Sequence, residues 1–156
     1  MRIIPASSEA QIAEIRKLFA DFIASLPFDT KYHTFKEEVT TFPGEFGPPT
    51  GCLLLAVDDK EIAYGCASLR AVDKKTGELQ RLFVKPESRR QGIGRQLAAA
   101  ILETARARNY ARLVVELAPH MKEAIDLMES LGMEPTKAYR PKPAAGMLFY
   151  ELLLRQ

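Results

Sequence analysis

The residues best equipped for chemistry are Arg89-Arg90-Gln91-Gly92-Ile93-Gly94-Arg95, where arginines flank two glycines. An apolar run at 79–84 precedes them, bounded by Gly77 and Pro86, and predicts a strand. Ile93, Leu97, Ile101 and Ala105 follow at four-residue spacing, which predicts one buried face of a long helix. The turn therefore falls where a helix begins. The first N–H groups of a helix lack intrahelical partners, and the macrodipole makes that end positive. Glycine lets a ligand approach such backbone closely, and arginine adds formal charge. Together these make an anion site, most naturally for a pyrophosphate. Two known phosphate loops do not match. A P-loop ends in Gly-Lys-Ser/Thr, whereas Gly94 is followed by Arg95 and Gln96. A dinucleotide fingerprint needs a third glycine where Leu97 stands.

The rest of the chain must position that turn. Residues 2–4 predict a short strand stopped by Pro5. Ser8 and Gln11 have capping-box spacing, and Ile12, Ile15, Phe19, Phe22 and Leu26 mark one face of a helix closed by Pro27. Residues 28–51 are the least regular, with a short helix expected at about 32–41 and then PGEFGPPTG. Phe28, Tyr32, Phe35 and Phe42 there read equally as anchors onto the core or as a substrate-shaping lid. Residues 52–57, 61–72 and 79–84 predict an antiparallel meander. After the long helix, 112–117 predicts a buried strand and Pro119 opens another helix. Met121, Ala124, Ile125, Met128 and Leu131 form its inner face, with Gly132 as its cap. A short strand at 133–137, a loop at 139–146 and a final strand at 147–154 complete the pattern.

Bulk properties bound the class. With 156 residues and 47% hydrophobic composition, the chain fits one domain, 1–156, with a real core. Basic residues number 22 and acidic 20, and the pI of 8.5 lies below the region typical of nucleic-acid modules. The arginine cluster thus suits one small polyanion rather than DNA or RNA. Cys52 and Cys66 lie among apolar neighbours and read as small buried hydrophobes in a reducing compartment. No zinc spacing, signal-peptide core or run near ~20 apolar residues occurs. The expectation is a cytoplasmic protein without metal, membrane or nucleic-acid partner.

Arg89, Gly92 and Gly94 match the Q/R-x-x-G-x-G/A motif of the GCN5-related N-acetyltransferases, the GNAT superfamily. LFVKPES before the motif, RLVVEL after the helix and the later AIDLMESLGM extend the resemblance over nearly the whole chain. The resemblance implies the acyl-CoA N-acyltransferase fold: an α/β domain with a mixed, mostly antiparallel sheet, a splayed parallel strand pair and about four flanking helices. It also implies acetyl-CoA as cosubstrate, lying between the splayed strands without a metal. Carried over by position, Leu82, Phe83 and Val84 would meet the pantetheine arm. Arg89, Arg90, Gln91, Gly92, Ile93, Gly94 and Arg95 would hold the pyrophosphate. Dimers are common among such proteins, which leaves a homodimer open.

The reaction implied is direct attack of an amine on the thioester. An alkylamine of pKa ~10.4 is almost wholly protonated at neutral pH, and freeing it costs ~4–5 kcal/mol. A proton acceptor is therefore worth having. Glu78 lies at the offset where the family carries a glutamate base, and period-two geometry predicts it on one strand face with Gln80, Leu82 and Val84. Met128 departs from the family pattern, since many members have tyrosine there as acid for the leaving thiolate. Losing that acid costs only about 2 kcal/mol for a thiol of pKa ~8.5. Tyr139 is the candidate substitute. Arg70, Glu116 and His120 are further candidate acceptor contacts, and His33 lacks a partner that the sequence can place. The expected activity is acetyl transfer to the amine of a small molecule, amino acid or protein. The alternative, favoured by Met128, is an acyl-CoA-binding sensor that does not turn over.

Overall fold

The computed structural model describes residues 1–26 and 42–154. Its centre is a seven-stranded sheet in the order β1-β2-β3-β4-β5-β7-β6. The strands are β1 (Arg2–Pro5), β2 (Cys52–Val57), β3 (Ala63–Ala71), β4 (Thr76–Val84), β5 (Arg112–Leu117), β6 (Glu134–Pro135) and β7 (Leu148–Leu153). All neighbours run antiparallel except β4 and β5. Among the described residues there are three helices: α1 (Glu9–Ser25), α2 (Ile93–Ala107) and α3 (Lys122–Ser130). The fourth helix expected, at about 32–41, lies outside the described residues, as do Phe28, Tyr32, His33 and Phe35.

Each helix starts and stops for a local reason. The Ser8 hydroxyl accepts from the Gln11 N–H at 3.1 Å, and Gln11 Oε1 accepts from the Ser8 N–H at 3.0 Å, closing the expected box. Helix α2 has no side-chain cap; its N-cap is Gly92 in the left-handed region at φ 80°. Helix α3 begins at Lys122 rather than beside Pro119, because 118–121 first form a turn in which Met121 N–H donates to Ala118 C=O. Gly132, at φ 93°, follows it as a left-handed terminator.

The sheet separates two apolar layers. On one face Leu54, Ala67, Leu69, Leu79, Leu113 and Val115 pack against Ile93, Leu97, Ile101 and Ala105 of α2. On the other, Leu53, Leu55, Val57, Cys66 and Phe83 meet Ile12, Ile15, Leu18 and Phe19 of α1. A fully buried Leu or Ile contributes ~1.5–3 kcal/mol, so the α2 face alone holds the helix start firmly against the sheet.

Two irregularities in β4 shape the region beside the α2 start. It pairs with β5 only from Thr76 to Glu78, against Arg112 to Val114. Beyond Glu78 it stays bonded to β3 as far as Val84, while β5 stays bonded to β7 as far as Leu117. The facing edges part, and a wedge opens. Second, Ser68 faces Gln80 while Cys66 faces Phe83, so Arg81 and Leu82 together oppose Ala67. Arg81 sits at φ 54°, a β-bulge that switches the side-chain alternation. Leu82 and Val84 therefore turn to the α2 layer with Leu79, and Phe83 turns to the α1 layer. This corrects the period-two expectation: Glu78 and Gln80 do not share a face with Leu82 and Val84.

Candidate active site

A cleft of about 710 Å³ opens along the outer half of β4. Leu82, Phe83 and Val84 line it, as do Arg89, Arg90, Gly92, Ile93, Gly94 and Arg95. Phe22 of α1, Leu26 just after it, and His120 and Met121 before α3 add to the walls. Gln91, expected in the site, is exposed and lies outside this lining. The turn at the cleft floor has the electronic character of an anion site. Gln96 N–H is the first to close onto the helix, donating to Gly92 C=O at 3.0 Å. No backbone carbonyl of the described residues accepts from the N–H groups of residues 90–95. A Cβ built on Gly92 meets nothing within 4 Å, so the backbone there is open to a ligand. Gly94 differs, since its Cβ would touch Leu127 at 3.7 Å and Val84 at 3.8 Å.

The arginines divide their duties. Arg89 Nε donates to Val84 C=O at 2.8 Å, and its guanidinium lies 5.6 Å from the Phe83 ring centre. It thus ties the turn to the end of β4. Arg95 donates to Ser130 Oγ at 2.5 Å, joining α2 to α3. Arg90 is exposed and only loosely paired with Glu123 at 3.7 Å. Exposed Arg90 and Lys122 both line the cleft and could lend side-chain charge to an anion there.

At the apex of the wedge lies a second feature. Glu78 is the last β4 residue paired with β5, and it is 1% exposed. Its Oε1 accepts from Arg70 Nε at 2.8 Å and from Gln80 Nε2 at 2.9 Å. Its Oε2 accepts from Arg140 at 2.6 Å and from the Tyr139 hydroxyl. Four donors fill the lone-pair directions of one carboxylate. Arg140 also reaches Glu116 at 3.1 Å, and Arg70 reaches Glu45 at 2.6 Å. Burial, the Glu78 charge and the bond to Glu78 all push the Tyr139 phenol well above its ordinary range. Burial opposes charge on Arg70, but Glu78 and Glu45 more than offset it. Arg140 Nε and Gln80 Oε1 are buried without partners among the described residues.

Glu78 and Tyr139, 61 positions apart, are thus brought together, with Arg70 paired directly to Glu78 and Glu116 joined to it through Arg140. Met128 is not part of this site; it is 1% exposed in the α2-side core. Cys52 and Cys66 are buried, and burial pushes both thiols up, as suits small hydrophobes rather than nucleophiles. Glu45 and Arg140 went unread in the sequence. Each sits in an irregular, Pro-rich loop, and neither carries a motif. Among the described residues no group of His, Cys, Asp and Glu has the arrangement to hold a metal. No described helix is long and apolar enough to cross a membrane.

A turn of open amides at a helix start thus lies beside a parallel strand pair that parts. The sequence model of the acetyltransferase (GNAT) family matches residues 13–133, and the chain belongs to that family. It is 24% identical over 140 residues to an N-acetyltransferase of Schizosaccharomyces pombe, covering 89% of this chain and 86% of that one. It is 30% identical over 112 residues to the ribosomal protein bS18-alanine N-acetyltransferase of Salmonella typhimurium, covering 72% and 74%. The phosphinothricin acetyltransferase of Sinorhizobium meliloti, solved in complex with acetyl-CoA, superposes with TM-score 0.74 at 15% identity, covering 98% and 88%. The chain is an N-acetyltransferase by family, built on that fold.

Proposed function

We propose that this chain transfers the acetyl group of acetyl-CoA to a primary amine of a small molecule, amino acid or protein, by direct attack. The observation that carries the reading is the coincidence of open amides at residues 90–95 with a wedge whose apex is a buried carboxylate bound to a tyrosine. The cleft residues fit the cosubstrate. Backbone N–H groups at 91–95, with Arg90, would hold the diphosphate, and the unpaired edge of β4 at Leu82–Val84 suits pantetheine amides as an added strand would. A charge-assisted hydrogen bond is worth ~1.5–3 kcal/mol, so several reach the ~8 kcal/mol of micromolar affinity without a metal.

The thioester supplies an activated acyl carbon; the chain must free the amine. Glu78 offers no lone pair directly, because four donors surround it. Tyr139 gives the route. Its oxygen accepts the ammonium proton as its own proton passes to Glu78 Oε2, and Tyr139 ends neutral. The freed lone pair forms the C–N bond as the C–S bond breaks. The second proton lost by nitrogen balances the departing thiolate. Tyr139 acts as a relay rather than as a phenolate, in keeping with its raised pKa. The sensor alternative depends on Met128, a core residue that cannot donate a proton; losing an acid there costs only about 2 kcal/mol for a thiol of pKa ~8.5, which slows turnover rather than abolishing it.

Free-thiol release from acetyl-CoA, measured across n-butylamine, 1,4-diaminobutane, lysine and alanine amide, tests the reading. At least one amine should raise release above hydrolysis and appear acetylated in the products. Binding of acetyl-CoA with no amine-dependent release would refute it.

A further inference from the structure

The charges around Glu78 alternate in sign along one line: Glu45, Arg70, Glu78, Arg140, Glu116. Each guanidinium on the central carboxylate is shared with an outer one, at 2.6 Å for Glu45 and 3.1 Å for Glu116. Sharing has a geometric consequence. A guanidinium left alone with a carboxylate takes it bidentately, two N–H groups to two oxygens. Here Arg70 gives Glu78 only its Nε, while Glu45 holds Nη1 on the opposite side of the guanidinium and so fixes the plane in which Nη2, the natural fork partner of Nε, stays off Glu78. That leaves lone pairs on Glu78 for Gln80 and Tyr139.

Glu45 is held for this task by its own loop. It lies in the short 3₁₀ turn Gly44–Phe46, whose Phe46 is 1% exposed and packs edge-on against Phe19 and Phe42. The loop end is clamped: Arg108 donates to Pro49 and Gly51 carbonyls at 2.7 and 2.6 Å, and Tyr110 to Thr50 C=O at 2.6 Å. Gly51 is packed so closely that an added Cβ would stand 2.6 Å from Glu45 C=O. The Glu45 side chain is 54% exposed, so its pairing with Arg70 is not a device for burying charge.

We propose that Glu45 is a positioning residue for the acetyl transfer, acting through Arg70 to keep Glu78 open to the Tyr139 proton. This role rests on Tyr139 relaying the proton to Glu78. The other charges facing Glu78 are Arg70 from β3, Glu116 from β5, and Tyr139 and Arg140 from the loop before β7. Farther along the same face Arg112 and Glu151 pair with each other at 2.8 Å, while Arg16, Lys17 and Asp21 of α1 are exposed. Without Glu45 to hold Nη1, the Arg70 guanidinium is free to tilt and present Nε and Nη2 together to Glu78, in competition with Tyr139.

The test is the pH profile of kcat, using the most active amine of the panel. Glu45→Gln should lower kcat roughly tenfold or more at pH 7, and the loss should shrink toward pH 9.5 as free amine accumulates. The KM for acetyl-CoA should stay unchanged, and Glu45→Asp should recover part of the rate. A loss equal at every pH, or a lowered melting temperature with kcat intact, overturns the inference. Tyr139→Phe, measured in parallel, separates the two claims. If it lacks the pH-dependent loss, the relay fails and the Glu45 role falls with it. If it shows that loss and Glu45→Gln does not, only the Glu45 role fails.

Discussion

Tyr139→Phe is the cleanest perturbation of the proposed chemistry, cleaner than any change at Glu78. Replacing Glu78 would strand two guanidiniums around a buried position, and breaking such a pair costs ~3–5 kcal/mol. Removing the Tyr139 hydroxyl leaves Glu78 with Arg70, Gln80 and Arg140, and leaves the ring packed edge-on against Phe149 at 5.3 Å. The fold loses one hydrogen bond to a charged group, ~1.5–3 kcal/mol at most. The reaction loses its proton route. Without it, turnover draws only on free amine, about one molecule in 2,500 at pH 7 for a pKa of ~10.4. A positioned proton acceptor contributes typically about 10²- to 10⁴-fold, and that range is the expected drop in kcat at pH 7. The ratio of wild-type to variant rates should fall with each unit of pH toward 10. Initial rates of thiol release from pH 6.5 to 9.5, at saturating acetyl-CoA, give the curve. A loss independent of pH, or no loss, would refute the relay.

Further tests reach the cofactor turn and the fold. Gly92→Val places a branched side chain in open space at φ 80°, with ~1–2 kcal/mol of backbone strain, and should weaken CoA binding at least about tenfold by calorimetry. Gly94→Ala, whose Cβ meets only ordinary contacts at 3.7 and 3.8 Å, should bind CoA within about twofold of wild type. Tyr139 also makes a stability prediction. Its folded pKa is raised, so its stabilisation is fully present below about pH 10, the unfolded tyrosine value, and is lost as pH climbs further. Denaturant melts should show a constant gap between wild type and Tyr139→Phe up to about pH 9 that narrows above about pH 10. Gly51→Ala drives a methyl into Leu69 C=O at 2.5 Å and Glu45 C=O at 2.6 Å. It should reproduce the Glu45→Gln profile without altering any charge, which paired kcat profiles would reveal.

Much of the core was legible because periodicity reports burial directly. Ile93, Leu97, Ile101 and Ala105 repeat with the helix, and all four are buried. Gly92 and Gly94 marked the turn, since glycine before an amphipathic run has few other uses. The bulge at Arg81 was not legible. A residue at φ 54° is commonly glycine or asparagine, and an arginine there gives no warning that the strand faces exchange. Glu45 was hidden for a different reason: it meets Arg70 across 25 positions, and only the packing of Phe46 and the clamps on 49–51 bring them together. Arg140 has the same history, joined to Glu78 across 62 positions from an irregular loop. Long-range ion pairs of this kind leave no local pattern. The turn could be read from the chain, whereas the surroundings of Glu78 required the fold.

The measurement that bears most directly on the account is the backbone amide spectrum of residues 90–95, recorded as CoA is added and, separately, as pantetheine is added. With CoA those amide resonances should move strongly, because the diphosphate takes hydrogen bonds that no carbonyl of the described residues now accepts. Pantetheine, which lacks the diphosphate, should instead shift Leu82, Phe83 and Val84 and leave the turn nearly still. Amides at 90–95 that stay unmoved in CoA-saturated protein would contradict the assignment of this turn as the diphosphate site.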